Sequence, residues 1–76
     1  MTEIDRRQAL ERLLEKYNPS LDTSEVAEVL NCSHRTAFVL QSEGKLKAYV
    51  LNPDSQKKQY KTTKVDIINY MIENEI

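Results

Sequence analysis

Several residue types that support chemistry are scarce in this 76-residue chain, which has one cysteine, one histidine, one glycine and no tryptophan. A single cysteine excludes an internal disulfide, and Cys32 with His34 supplies two ligands, too few for a structural zinc site. One glycine leaves no glycine-rich loop of the kind that cradles phosphates. The longest apolar runs, such as residues 37–40, have four residues, so no segment of this sequence can span a membrane.

These absences also argue against catalysis. No spacing in the sequence aligns a nucleophile, a base and an orienting acid, and so short a chain leaves little room for a pocket with several convergent groups. We therefore expect no enzymatic activity, no cofactor and no metal. The segment MTEIDRRQALERLLEKY mixes acids and bases without a long apolar stretch, so we expect no signal peptide, a cytoplasmic location and no membrane partner.

Length and composition indicate one small folded domain over residues 1–76. Charged residues make up 30% of the chain and hydrophobic residues 39%, a balance typical of soluble globular proteins. Because a chain of this size builds a marginal core, we expect nearly every strongly apolar side chain to contribute to that core.

The formal net charge of −1 conceals a marked segregation of charge. Residues 34–64 hold seven bases and two acids, whereas residues 1–33 hold four bases and seven acids, and residues 65–76 hold three acids and no base. The middle of the chain therefore carries +5 between two ends of −3. A basic segment of this kind indicates a nucleic-acid partner, and chance clustering of lysines in a surface hairpin is the alternative.

Periodicity and capping residues predict the elements. An apolar stripe at helical spacing predicts a helix over residues 3–17, ended by Pro19. Asp22 with Glu25 forms a capping box, and Ser33 caps a second short helix, so residues 22–43 hold two helices joined by a tight turn. Alternation then predicts a hairpin over residues 45–61 with a turn at 52–55, and Thr63 caps a last helix over residues 64–75. The predicted fold is mainly α with a small β-hairpin, in the order α-α-α-β-β-α.

The two short helices have the spacing of a helix-turn-helix. Its turn requires a small residue where the helices cross, here Ala27, and a residue that tolerates a positive φ, here Asn31. The remaining inward positions are Val26, Leu30, Cys32, Ala37 and Leu40. Such a turn presents the start of the second helix to a DNA major groove, which is about 12 Å wide. An ordinary helical hairpin in a small α domain is the alternative.

Residues 21–71 resemble the excisionase/MerR-like winged helix-turn-helix family. The resemblance lies in LDTSEVAEVLNCSHRTAFVLQSEGKLKAYVLNP and KKQYKTTKVDIINYM. These segments hold a helix-turn-helix, Gly44-Lys45-Leu46, the basic wing segment Gln56–Lys61, and a helix opening with Asp66-Ile67. It implies a winged helix-turn-helix fold and binding of double-stranded DNA. The second helix would enter the major groove and the wing would contact an adjacent minor groove or the backbone. Members of the family are excisionases, recombination directionality factors and small transcription regulators of phages, plasmids and integrative elements.

The candidate DNA-binding residues are the outward positions of the second helix and the bases of the following segment. They are Ser33, His34, Arg35, Thr36, Phe38, Val39, Lys45, Lys47, Lys57, Lys58, Lys61 and Lys64. Two positions depart from the family's pattern, since similar proteins usually carry a base where Val39 stands and an arginine at the wing tip, where this chain has Asp54.

The competing interpretation is a protein-interaction module whose degenerate helix-turn-helix docks a protein partner through Phe38, Val39 and Leu51. If the chain binds DNA, a recombinase or another protein remains an open second partner. We expect a monomer in solution that binds DNA cooperatively, because one such module buries only roughly 600–1,000 Å² on DNA. The N-terminal helix lies outside the resemblance and is expected to cover apolar surface, with a dimer surface as the alternative.

Overall fold

Residues 2–74, apart from the side chain of Glu3, are described by a computed structural model. They form four helices and a three-stranded antiparallel sheet. The order is α1 (Glu3–Leu13), β1 (Ser20–Asp22), α2 (Thr23–Leu30), α3 (His34–Ser42), β2 (Tyr49–Val50), β3 (Tyr60–Thr63) and α4 (Lys64–Glu73). A mainly α fold with a small β-hairpin is thus confirmed, with one strand more than expected. The predicted last helix, 64–75, includes one residue that lies outside the described ones.

The turn between α2 and α3 follows its capping chemistry. Asp22 accepts a hydrogen bond from the Glu25 N–H at 2.8 Å, and the Glu25 carboxylate accepts one from the Asp22 N–H at 3.1 Å, so both bonds of the capping box form. At the other end Asn31 is left-handed, with φ 55°. The Cys32 N–H then reaches the Ala27 carbonyl at 3.0 Å, which closes α2 with a Schellman motif.

Helix α1 ends at Leu13, earlier than the predicted end at residue 17. The chain leaves the helix in a turn in which the Tyr17 N–H donates to the Leu14 carbonyl at 3.0 Å. This turn carries the Tyr17 hydroxyl to the Glu28 carboxylate on α2, to which it donates at 2.6 Å. Because the neutral hydroxyl donates that bond, the Glu28 carboxylate raises the pKa of Tyr17 to about 12.

Strand β1 was not predicted. It spans three residues directly before α2 and pairs antiparallel with β3, with Leu21 opposite Thr62. Three residues are too few for an alternating pattern to be recognised, and Asp22 serves both as the last residue of β1 and as the N-cap of α2. The sheet order is β1-β3-β2, so β3 is the central strand.

The hairpin forms where it was predicted, but its strands are shorter and the second one lies further along the chain. Strand β2 covers only residues 49–50, because the Leu46 N–H is bonded to the Leu40 carbonyl at the end of α3. Strand β3 covers residues 60–63 rather than 56–61, with Val50 opposite Tyr60. The predicted alternation of side chains holds nevertheless, since Leu46 is buried and Ala48 and Val50 are half-buried.

Residues from every helix and from β1 form the core. Helix α1 contributes Leu10, and its C-cap residue Leu14 is also buried, which confirms that this segment covers the domain. Leu13, the last residue of the helix, is 59% exposed. Helix α1 is joined to α4 by a hydrogen bond of 2.8 Å from the Arg7 guanidinium to the Asn69 side chain. The other buried apolar side chains are Leu21, Val26, Ala27, Ala37, Leu46, Ile67 and Ile68.

Candidate nucleic-acid interface

The start of α3 is held by hydroxyl groups. The Ser33 hydroxyl accepts the Thr36 N–H at 3.1 Å and donates to the Thr36 hydroxyl at 2.8 Å. An N-cap of this kind satisfies a backbone donor that the helix itself leaves unpaired. Both side chains are exposed, so this end of α3 lies at the surface with its first turn fixed.

The outer face of α3 carries the side chains that the sequence placed there. His34 and Arg35 are exposed, Phe38 is 37% exposed and Val39 is half-buried. The inner face carries Ala37, which is fully buried in the core. The predicted division of this helix into an inner and an outer face is therefore confirmed.

A buried polar bridge, formed by Thr23, Gln41 and Thr62, joins α3 to α2 and to the sheet. The Gln41 side-chain carbonyl accepts a hydrogen bond from the Thr23 hydroxyl at 2.7 Å, and its amide donates to the Thr62 hydroxyl at 3.0 Å. Gln41 is 3% exposed and Thr62 is fully buried. Because each of these elements contributes a polar group that needs its partner, the bridge fixes the position of α3 against β3.

Phe38 is held from the hairpin side. Its ring meets that of Tyr60 on β3 edge to face, with 5.5 Å between the ring centres and an angle of 76° between the planes. Aromatic pairs prefer this arrangement because the positive edge of one ring faces the negative face of the other. The contact joins the outer face of α3 directly to the central strand.

The loop of the hairpin, residues 51–59, is organised by Asn52. Its side-chain amide donates to the Lys57 carbonyl at 2.8 Å, and its side-chain oxygen accepts the Gln59 N–H at 2.7 Å. The Ser55 N–H also donates to the Asn52 carbonyl at 3.0 Å. One side chain thus braces both ends of the segment that carries Lys57 and Lys58, which lowers the conformational freedom of their backbone.

A groove of about 390 Å³ separates the start of α3 from the hairpin. Helix α3 contributes His34 and Phe38, and the hairpin contributes Leu51, Lys58 and Lys61. Four of the predicted site residues, His34, Phe38, Lys58 and Lys61, therefore share one concave surface, which has both apolar and cationic side chains.

One acid also lines this groove, namely Asp22 at the start of α2. Its carboxylate is engaged as the N-cap of α2 through the bond to the Glu25 N–H. Asp22 lies opposite Lys61 in the pairing of β1 with β3, so a base is adjacent to it across the strands. Among the groove's residues, two lysines stand against this one carboxylate.

Not all of the predicted site residues meet at the groove. Arg35 and Lys57 are exposed beside it, on the outer face of α3 and in the hairpin loop. Lys45 and Lys47 follow α3, and the Lys45 ammonium lies 3.6 Å from the Glu43 carboxylate. Lys64 is half-buried at the first position of α4, where its N–H donates to the Pro19 carbonyl. The basic segment of the sequence is thus divided between the groove and more distant surfaces.

Sequence reasoning missed two residues that build this surface. Gln41 was not singled out, because a glutamine at the end of an amphipathic helix is typical of a solvated position. Asn52 was assigned to a turn from its place before Pro53, a signal that does not disclose the two hydrogen bonds of its side chain. Nothing in the sequence pairs Tyr60 with Phe38 either.

Between residues 2 and 74, no three histidine, cysteine or acidic side chains are grouped so that they could hold a metal ion. No helix there is both long and apolar enough to cross a bilayer. Comparison with protein-family models, with curated proteins and with solved structures finds no match for this sequence.

Proposed function

We propose that this chain is a winged helix-turn-helix protein that binds double-stranded DNA in a sequence-specific manner. In this assignment α2 and α3 are the helix-turn-helix and α3 enters the major groove. Strands β2 and β3 with their loop are the wing, which contacts the adjacent minor groove or backbone. The left-handed Asn31 and the capped start of α3 support the assignment, because they are what the tight turn of such a motif requires.

The observation that carries the proposal is the groove shared by α3 and the hairpin. His34 lies on one side of it and Lys58 and Lys61 lie on the other, although 23 or more positions separate them in the sequence. Lys58 and Lys61 are cationic groups on one surface, and such groups attract the phosphates of DNA and release the counterions condensed on them. The net charge of −1 does not oppose this, because the acids lie mainly in residues 1–33 and 65–76.

The residues divide into two roles under this proposal. Arg35 is exposed near the start of α3, where a side chain can reach base edges, and an arginine there can make a bidentate contact with guanine. Lys57 and Lys58 are exposed in the braced loop, where a lysine acts as a point charge toward phosphate. Under this proposal Arg35 recognises the base sequence, and the two lysines contact the DNA backbone.

The small size of the domain bears on the biological process. A module that buries only roughly 600–1,000 Å² binds one site weakly, so recognition of a long site needs several copies or a second protein. An excisionase-like recombination directionality factor, aided by a recombinase, and a small transcription regulator both work in this way. We therefore propose a monomer that binds cooperatively at repeated sites.

Titration of labelled random duplex DNA at two salt concentrations tests the proposal. Contact with about five phosphates predicts a slope of about −4 to −5 for the logarithm of affinity against the logarithm of salt. Absence of binding at low salt would reject DNA binding. The exposed Leu51, at 49%, beside Phe38 would then favour the second candidate, a protein-docking module.

Substitutions separate sequence recognition by Arg35 from backbone contact by the two lysines. Arg35→Ala is expected to lower affinity for a selected site toward the value for random DNA, a loss of about 1–3 kcal/mol. The double variant Lys57→Ala, Lys58→Ala is expected to weaken both affinities alike and to reduce the salt slope by about one to two. Arg12→Ala, on the exposed side of α1, is the matched control and should change neither quantity. Loss of sequence preference in the lysine variant alone would show that the wing, and not α3, recognises the base sequence.

A further inference from the structure

Phe38 has no counterpart among the other exposed side chains at the start of α3. Ser33, His34, Arg35 and Thr36 can all form hydrogen bonds, whereas Phe38 offers only apolar surface, and 37% of it is exposed. Its ring cannot turn inward without losing the edge-to-face contact with Tyr60. An aromatic ring fixed at a protein surface is suited to contact an apolar group of a partner.

A second apolar side chain enlarges this surface. Leu51, at the hairpin end of the groove, is 49% exposed and lines the same groove as Phe38. Lys58 and Lys61 line it as well, so cations lie in the same groove as the apolar side chains, while the acid there, Asp22, is engaged as the N-cap of α2. The occupant that fits such a groove carries an apolar group close to negative charge.

We propose that this groove meets a thymine of the DNA, with the 5-methyl group of the base against Phe38. The inference rests on the proposed function, since it requires α3 to lie in the major groove. Thymine alone among the four bases projects a methyl group into that groove, and apolar side chains read it by contact. The phosphates of the same strand supply the negative charge that Lys58 and Lys61 complement.

This inference gives Phe38 a role in specificity that differs from that of Arg35. Arg35 would select a guanine through hydrogen bonds, whereas Phe38 would distinguish thymine from cytosine through the methyl group. His34 lies one helical turn before Phe38 and lines the same groove, so it borders the thymine site. The preferred DNA sites are therefore expected to contain at least one thymine that cannot be replaced without loss of affinity.

Replacement of thymine by deoxyuridine tests the inference, because it removes the methyl group and leaves the base-pairing edge intact. A tight-binding duplex is first selected from a random pool with the full-length chain. Each thymine is then replaced singly, and affinity is measured. At one or two positions we expect about a fourfold loss, the equivalent of the ~0.8 kcal/mol that one buried methyl group contributes.

The same duplexes are then measured with Phe38→Ala. This variant is expected to bind the thymine duplex more weakly and to show no further loss with deoxyuridine, since the two changes remove one contact. Val65→Ala is the matched control, because Val65 is an apolar side chain on α4 that is 61% exposed and does not line the groove. It should show the full fourfold loss.

Two results would overturn the inference while leaving DNA binding intact. One result is that the unaltered chain binds every deoxyuridine duplex as tightly as the thymine duplex. This measurement uses no variant, so it does not depend on how a variant folds. The other is an equal loss in Phe38→Ala and in the unaltered chain, which would assign the methyl group to another side chain. A chain that binds neither random nor selected duplex would instead reject the proposed function itself.

Discussion

Replacement of Gln41 by leucine tests the polar bridge between α3, α2 and the sheet. Leucine is apolar and similar in size, so the change removes both hydrogen bonds and leaves little cavity. Thr62, which is fully buried, and Thr23, which is 9% exposed, each lose the hydrogen-bond partner of their hydroxyl. A buried hydroxyl left unpaired costs about 1–3 kcal/mol, with Thr23 at the low end because water can approach it.

The expected net effect is a loss of about 2 kcal/mol in the free energy of unfolding, after the apolar side chain offsets part of the penalty. For a domain of this length that corresponds to a fall in melting temperature of about 8–16 °C. Circular dichroism during thermal and urea unfolding measures both quantities. Gln8→Leu, at an exposed position of α1, is the matched control and should stay within about 0.5 kcal/mol of the unaltered chain.

A triple variant distinguishes the bridge from simple packing. Adding Thr23→Val and Thr62→Val to Gln41→Leu removes the stranded hydroxyls and keeps the shapes of the side chains, a change that is close to neutral. The triple variant should therefore recover to within about 1 kcal/mol of the unaltered chain. A triple variant less stable than Gln41→Leu alone, or a Gln41→Leu variant as stable as the parent, would refute the reasoning.

Three further changes test the crossing of α2 and α3, the packing of α1, and the Tyr17–Glu28 hydrogen bond. Ala27→Leu should destabilise the crossing of α2 and α3 by about 1–3 kcal/mol, and an unchanged melting temperature would contradict a close crossing. Leu14→Ala should lower the free energy of unfolding by about 2–5 kcal/mol and Leu13→Ala by less than about 0.5, whereas equal losses in urea titrations would contradict the observed packing of α1. Because the folded pKa of Tyr17 is raised, its bond to Glu28 stabilises the fold fully below pH 10 and loses this effect as pH rises to about 12. The stability difference from Tyr17→Phe should shrink over that window, and a difference that stays constant would exclude this linkage.

The helices of this fold could be predicted from the sequence because their ends carry local chemistry. The Asp22 capping box, the left-handed Asn31 and the Ser33 cap all form bonds between residues that are close in sequence. The exposed start of α3 could be predicted for the same reason. The end of α1 could not, because the apolar spacing continues to Tyr17 although the chain leaves the helix after Leu13.

The sheet was harder to predict because its strands take their stability from distant partners. Strand β1 has three residues, and its only apolar one, Leu21, is paired with Thr62, which lies 41 positions further along the chain. The groove was not foreseen either, although four of its residues had been singled out, since their meeting depends on how β3 packs against α3. The segregation of charge along the sequence predicted that a basic surface exists. Which of the bases lie together in the groove depends on tertiary contacts.

Of the residues that position the candidate interface, Gln41 and Asn52 are not among those that would touch DNA. Ser33, Gln41 and Asn52 fix the start of α3, its end and the hairpin loop, each through two hydrogen bonds of one side chain. A surface held in this way loses little conformational freedom when it binds, so more of the contact energy remains as affinity. For a domain too small to make many contacts, such rigidity is the available route to specificity. The polar side chains that look solvated in the sequence are therefore part of the reason that so short a chain can present a shaped surface.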